Sequence, residues 1–494
     1  MNVTLLPEPE LQFGNNGRHV DIRFGIRNSG PLVHGDPLAP SEIRVGLIGT
    51  PQTIQGLKDW LELCRMGLPA KESKKPHLFP AFPGFNKESC FACELVTAEK
   101  LERPINPRLL NELIQSKSRD EAARLAVELF IAECQFLQDK APVDVFVCAP
   151  PAELMEFLDA GVIAEDEESE AGNEEEAADT ESEAESASTI DFHDLLKAKG
   201  MGLRKPIQMA RPSTYDENAK PSTRGGEKRQ VQDPATRAWN FHTALYYKAG
   251  GIPWRLLRDA DSETCFIGVS FYHSLDAKRV HTSVAQVFNE RGEGVILRGG
   301  DAEPISKDPK EDRQPHLSKE NMRDLIKNVL GAYRTEHKHA PPRVVVHKTS
   351  SFNKEELAGC HAALDELNID GRDLLAVSRS STRLFRVGQY PPLRGTFLEL
   401  DARRHVLYTK GSTDFYMVYP GWYVPRPLEF ICEDTQATPR KLAEEILALT
   451  KMNWNNTQFD NSMPITVRAA RQVGAILKYL DRTSTTPTSY AYYM

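Results

Sequence analysis

No apolar run in the sequence reaches about 18 residues, which excludes a membrane-spanning helix. Cysteine is scarce, with eight in 494 residues, too few for a disulfide scaffold. Residues Met1 to Glu10 lack the basic stretch and apolar core of a secretory signal. Together these absences lead us to expect a reducing, cytoplasmic setting. The P-loop, dinucleotide-fingerprint, HExxH and GxSxG patterns are all missing, so the NTPase, zincin and α/β-hydrolase readings have no sequence support. Cys90-Phe-Ala-Cys93 is a lone pair. A four-ligand zinc site needs a second Cys or His pair at suitable spacing, and none follows.

What is present has a globular balance, 40% hydrophobic and 27% charged, over a length that suits two to three domains. The net charge of −9 is concentrated. Residues 165–185 hold twelve acidic side chains and no basic one, and without them the remainder carries +3. A polyanionic partner therefore stays open despite the acidic total. Residues 164–189 contain no aromatic and no aliphatic larger than Ala, so they cannot bury enough apolar surface to offset ordering entropy. They are expected to form a disordered acidic insert, either a solvated spacer or a competitor with nucleic acid for a basic groove. Tyr215 to Pro234 reads as a second polar linker.

Before the insert, Ile43 to Gly49 and Val143 to Ala149 are short apolar runs of buried-strand type. Thr53 to Met66 and Leu109 to Leu137 carry apolar residues at helical spacing. Strand, helix, helix, strand suggests a parallel, doubly wound unit. After residue 235 a helix (Ala235–Lys248) leads to strands at Phe266–Tyr272, Val284–Phe288 and Gly294–Arg298, with a turn at Arg291–Gly294. Helices at Leu317–Arg334 and Asn353–Leu367 then alternate with strands at Arg343–His347 and Asp373–Ser378. Helices over Pro439–Met452 (N-capped by Thr438) and Pro464–Leu480 close the chain. This is the order of a ribonuclease-H-like α/β layer.

Two clusters carry chemistry. His193 and Lys197 are four residues apart on one helix face, Gln208 follows a Gly-rich turn, and Lys248 precedes Gly250-Gly251. Two ammonium groups, an amide and an imidazole near helix ends are compatible with a phosphate pocket, although lysines at helical spacing more often form a solvated face. The second cluster is Lys451-Met-Asn-Trp-Asn-Asn456, followed by Met463-Pro-Ile-Thr-Val-Arg-Ala-Ala-Arg471. NWNN, a spacer and PITVRAA resemble the end of the PIWI domain of prokaryotic Argonautes. KAGGIPW (Lys248–Trp254), FIGVSF (Phe266–Phe271), VVVHKTSSF (Val344–Phe352) and the N-terminal PLVHGDP…IRVGLIGT fall in the family's order as well. The resemblance covers essentially the whole chain. It is to short Argonautes without N and PAZ domains, and the acidic insert has no counterpart.

That resemblance implies an α/β chain with a Rossmann-like MID domain within 1–260 and a ribonuclease-H-like PIWI domain over 261–494. It implies a pocket for a guide 5′-phosphate built from His193, Lys197, Gln208 and Lys248. Mg²⁺ is possible there, held partly by the Met494 carboxylate. In slicing relatives clustered carboxylates hold two divalent ions. The matching positions here are Ser270, Thr349 and Arg471, and nearby Glu290 and Glu293 do not restore the set. No catalytic metal and no target cleavage are therefore expected. Arg468 and Arg471 are candidates for guide-backbone contacts. The implied partners are a guide RNA, a complementary single-stranded DNA target and an APAZ-domain effector of TIR, sirtuin-like or nuclease type, in prokaryotic defence, with no membrane. Two rivals stay open: a guide-dependent nuclease with a rearranged metal site using carboxylates such as Asp276, and a small-nucleotide-binding Rossmann module.

Overall fold

The computed structural model describes residues 2–160, 190–219, 231–257, 263–276, 278–287, 294–302, 314–385, 387, 392–416, 419, 424–458, 461–481 and 484–494. The acidic insert, the Arg291–Gly294 turn apart from Gly294, Glu290 and most of the 215–234 linker lie outside them.

An N-terminal segment comprises β1 (Asn2–Leu5), β2 (Leu11–Gln12), β3 (Arg18–His19) and α1 (Ile22–Ser29). A first α/β unit follows: β4 (Glu42–Gly49), α2 (Pro51–Met66), β5 (Glu94–Val96), β6 (Glu102–Pro104), α3 (Pro107–Ser116), α4 (Arg119–Lys140), β7 (Val145–Ala149), α5 (Ala152–Asp159), α6 (Phe192–Gly200), β8 (Ile207–Met209), α7 (Pro212–Tyr215) and α8 (Pro234–Lys248). The second unit runs β9 (Arg255–Leu256), β10 (Thr264–His273), β11 (Val280–Val287), β12 (Gly294–Asp301), α9 (Lys319–His337), β13 (Arg343–Lys348), α10 (Lys354–Glu366), β14 (Gly371–Arg379), β15 (Thr396–Glu399), β16 (Arg404–Leu407), β17 (Leu428–Thr435), α11 (Pro439–Leu449) and α12 (Ile465–Leu477).

The first unit is a parallel sheet in the order β5-β4-β7-β8, with β6 also on β4. β7 is apolar and buried along its length, and β4 is so from Val45 onward, because helices cover the sheet. The expected single helix over Leu109–Leu137 is two. The chain breaks after Ser116, and the Ser118 hydroxyl caps α4 by accepting from Glu121 N at 3.3 Å. The second unit is a nine-stranded sheet, β1-β15-β16-β17-β14-β13-β10-β11-β12. An antiparallel meander (β10, β11, β12) sits beside β13 and β14, which run parallel to β10 in the ribonuclease-H manner. The strands β15, β16 and β17 did not emerge from the sequence pattern, two of them being only four residues long. β1 also departs from a division at residue 260, since it pairs antiparallel with β15 in the C-terminal sheet.

Two of the sequence motifs meet in the core. Trp254 of KAGGIPW donates Nε1–H to Lys451 O at 2.9 Å, and Trp454 of NWNN donates back to Trp254 O at 3.2 Å. Both rings are buried, and Tyr247 lies 4.4 Å from Trp454. Gly250 takes φ +97°, a conformation that side chains resist. The helix α12 rests directly on β10, where a Cβ on Gly268 would lie 2.0 Å from Thr466 O.

His242 sits fully buried among Trp60, Phe82, Phe85 and Phe241, donating Nδ1–H to Ala238 O at 2.9 Å. Burial pushes its imidazole down to about 4. An unfolded chain would protonate this group near pH 6.5, while the folded chain resists until far lower. Its contribution is therefore intact above pH 6.5 and lost as pH falls toward 4, amounting to about 2 kcal/mol by pH 5. Urea midpoints measured at pH 7.5 and pH 5 should drop accordingly, and His242→Phe should shrink that drop.

Candidate nucleic-acid interface

The candidate pocket starts at α6. Asp191 caps it by accepting from Asp194 N at 2.9 Å, which sets His193 and Lys197 one turn apart on the same helix. Lys197 is buried, and its Nζ donates to Ile207 O and to Met494 O. Lys248 ends α8, is also buried, and donates to Gln208 Oε1. Gln208 on β8 in turn donates Nε2–H to Met209 O at 3.2 Å. Lys197 thus meets Met494 and β8 at Ile207, and Lys248 meets β8 at the next residue, Gln208. His193 stands on the same helix as Lys197 but turns to Asp194, Nδ1 to Oδ1 at 3.0 Å.

Burying two ammonium groups together is costly without compensation. Here carbonyl and amide oxygens supply some of it, and a bound anion would supply more. Met494 reaches the pocket because the tail is pinned along the second unit. Ile296 N donates to Thr488 O at 2.7 Å, and Tyr490 Oη donates to Gln472 Oε1 at 3.1 Å. Tyr479, just past α12, accepts from Asp191 N at 3.0 Å and so joins the last long helix to the cap of α6.

At the start of α6 lie Asp191, His193 and Asp194, whose ligand atoms fall within 4.8 Å of one another. Two carboxylates and an imidazole are a donor set that suits a divalent cation. Among the described residues this is the one such group. The spacing Asp191-Phe-His-Asp194 was legible, but only His193 was singled out from the sequence.

The second region is the face of the C-terminal sheet beneath α12. Ser270 on β10 lies opposite Ser283 on β11, and Ser283 donates Oγ–H to Ala470 O at 2.7 Å. Thr349 follows β13 and donates its N–H to Val269 O at 3.1 Å. Arg471 is the exposed residue after Ala470, and Arg468 donates to Asn461 Oδ1 at 3.0 Å. The three positions Ser270, Thr349 and Arg471 therefore share one neighbourhood, and none is acidic. Asp276 lies elsewhere, in the exposed turn after β10, accepting from Ser274 Oγ at 2.6 Å and Lys278 N at 3.2 Å. Those bonds hold its carboxyl below the usual range. Of the Cys90/Cys93 pair, burial pushes both thiols up to about 12, which leaves them protonated and weakly nucleophilic at neutral pH.

A ribonuclease-H-like sheet beside a Rossmann-like layer defines an α/β fold of the Argonaute class. The Piwi domain family matches residues 217–482, more than half of the chain, and the chain belongs to that family. Its fold is similar to that of Clostridium butyricum Argonaute bound to a guide DNA (5′ deoxycytidine) and a 19-mer target DNA. That likeness has a TM-score of 0.62 at 15% identity over 98% of this chain and 53% of that one. Drosophila Piwi is similar with a TM-score of 0.54 at 12% identity, over 99% of this chain and 56% of that one. The chain thus spans about half the length of these structures. A comparison with curated proteins gives no match. Among the described residues no helix is long and apolar enough to cross a membrane.

Proposed function

We propose that this chain is a guide-loaded sensor of nucleic acid. It holds the 5′-phosphate of a small guide RNA and recognises complementary single-stranded DNA without cutting it. The observation that carries this reading is that buried Lys197 bonds to Met494 O and to β8 at Ile207 O, while buried Lys248 bonds to the next residue of that strand, Gln208. A phosphate monoester brings about two negative charges and several acceptor oxygens, which matches two ammonium groups and an amide. His193 borders the place where a first base would lie, and Arg468 and Arg471 would take backbone phosphates along α12. Asp191, His193 and Asp194, with the Met494 carboxylate, would hold a Mg²⁺ there, supplying positive charge to the phosphate. Sequence would be read by base pairing, as in other guide-directed proteins.

Cleavage is not expected, because hydroxyls and an arginine replace the carboxylates that two-metal chemistry needs. The effector chemistry then belongs to an APAZ-domain partner of TIR, sirtuin-like or nuclease type, switched on by target recognition in the cytoplasm during prokaryotic defence. The test is direct. Guide-loaded protein, a labelled complementary strand and Mn²⁺ should leave the strand intact, and any guide-dependent product would overturn the non-cutting reading.

A further inference from the structure

A separate surface gathers aromatic rings and cations from three distant parts of the chain. In α1 the buried side is Ile22, Arg23 and Ile26, which leaves Phe24 half-exposed and Arg27 exposed. His19, half-exposed on β3, stacks on Phe24 at 5.8 Å and 16°. His77, exposed in the segment Lys71–Phe79, lies 5.8 Å from Phe24 and 5.1 Å from Phe415. Phe415 completes the group at 5.4 Å from Phe24 and 5.2 Å from His19. The Arg27 guanidinium lies 4.5 Å from the centre of the Phe24 ring, and Lys71 Nζ lies 5.0 Å from that of Phe79.

The base under these rings is fixed. Arg23 donates to Leu78 O at 3.0 Å and pairs with Asp21, which Tyr416 also reaches. His77 donates Nδ1–H to Phe415 O at 3.2 Å, locking its ring. Rings held this way lose little entropy when a flat ligand lands on them. The exposed charges of the same three segments are Arg18, Arg27, Lys71, Lys74 and Lys75 against Glu72 and Asp414. Cations interleaved with partly exposed rings are the combination that binds single strands: phosphates meet the cations and bases lie on the rings. An acidic protein segment would use the lysines but not the ring faces.

We infer that His19, Phe24, His77 and Phe415 form a stacking site for unpaired bases of single-stranded nucleic acid, with Lys74 and Lys75 on its backbone. The site shares no residue with the guide-end pocket and does not depend on it.

The experiment irradiates the full chain with a 5′-hydroxyl oligothymidylate carrying 5-iodouracil and maps the crosslinked peptides. Crosslinks are expected in peptides containing His19, Phe24, His77 or Phe415. Their yield should fall about tenfold in Lys74→Glu with Lys75→Glu, both at exposed positions. Unlabelled oligothymidylate should compete for them at least about tenfold better than an abasic strand of equal length, since each stacked base adds affinity. Crosslinks confined to other peptides, an unchanged yield in the double variant, or equal competition by the abasic strand would each overturn the proposal. The last outcome would mark a surface for acidic polymers, protein segments included.

Discussion

Replacing Lys197 and Lys248 together by alanine should erase the preference for a 5′-phosphorylated strand over its 5′-hydroxyl counterpart. A hydrogen bond to a charged group contributes about 1.5–3 kcal/mol. Losing two of them from a buried site should weaken binding of the phosphorylated strand by about 100-fold or more. Binding of the hydroxyl strand should change little, because it never used the two charges. Fluorescence anisotropy with the two labelled strands reads both numbers from one preparation. A double variant that still prefers the phosphate would show that the guide end sits elsewhere. The buried position of both lysines makes a folding control necessary. Lys248→Gln alone, which keeps a hydrogen-bond donor beside Gln208, should lose only part of the preference.

Glu8→Ala is expected to destabilise the fold by about 3–5 kcal/mol, because it removes the carboxylate shared by two buried cations. Arg394 Nε lies 2.9 Å from Glu8 Oε2, and Lys451 Nζ binds Glu8 Oε1 directly. Both cations are almost fully buried, whereas Glu8 is half-buried. Burial pushes the Lys451 ammonium down to about 8, with Glu8 opposing the fall and Arg394 adding to it. Burial also raises the Glu8 carboxyl, but attraction from Arg394 and Lys451 outweighs it and holds the group below its ordinary value. The contribution of Glu8 is thus present above the ordinary carboxylate range and lost as pH drops through its lower folded value. A urea midpoint that shifts little in Glu8→Ala would mean that the cations find equal compensation without it. Lys451 also donates to Pro9 O at 2.6 Å and Val20 O at 2.9 Å, so this network stitches the N-terminal segment to the segment bearing NWNN.

Much of this fold is legible in the sequence where the signal is local. The strand Ile43–Gly49, the helix after Pro51 and the helix N-capped by Thr438 follow from apolar periodicity and capping chemistry, both set within a few residues. The break between α3 and α4 falls in Gln115 to Glu121, a run without apolar residues in which a polar helical turn and a loop look alike, and Ser118 alone signals the new cap. Four-residue strands such as β15 and β16 carry too little pattern to be distinguished from loop, and pairing with neighbours defines them. At the pocket, helical spacing brings His193 and Lys197 to attention, whereas Asp191 and Asp194 pass as ordinary capping acids.

The sequence by itself determined the family and many of the helices and longer strands, and it puts no acidic residue at 270, 349 or 471, since these depend on residue identity and short spacings. Only the tertiary structure decided which distant groups meet. Lys197 reaches Met494 across 297 positions, β1 joins a sheet made otherwise from the C-terminal half, and Phe24, His77 and Phe415 form one surface. Such contacts depend on sheet register and helix packing summed over the whole chain, and no local pattern of residues encodes them.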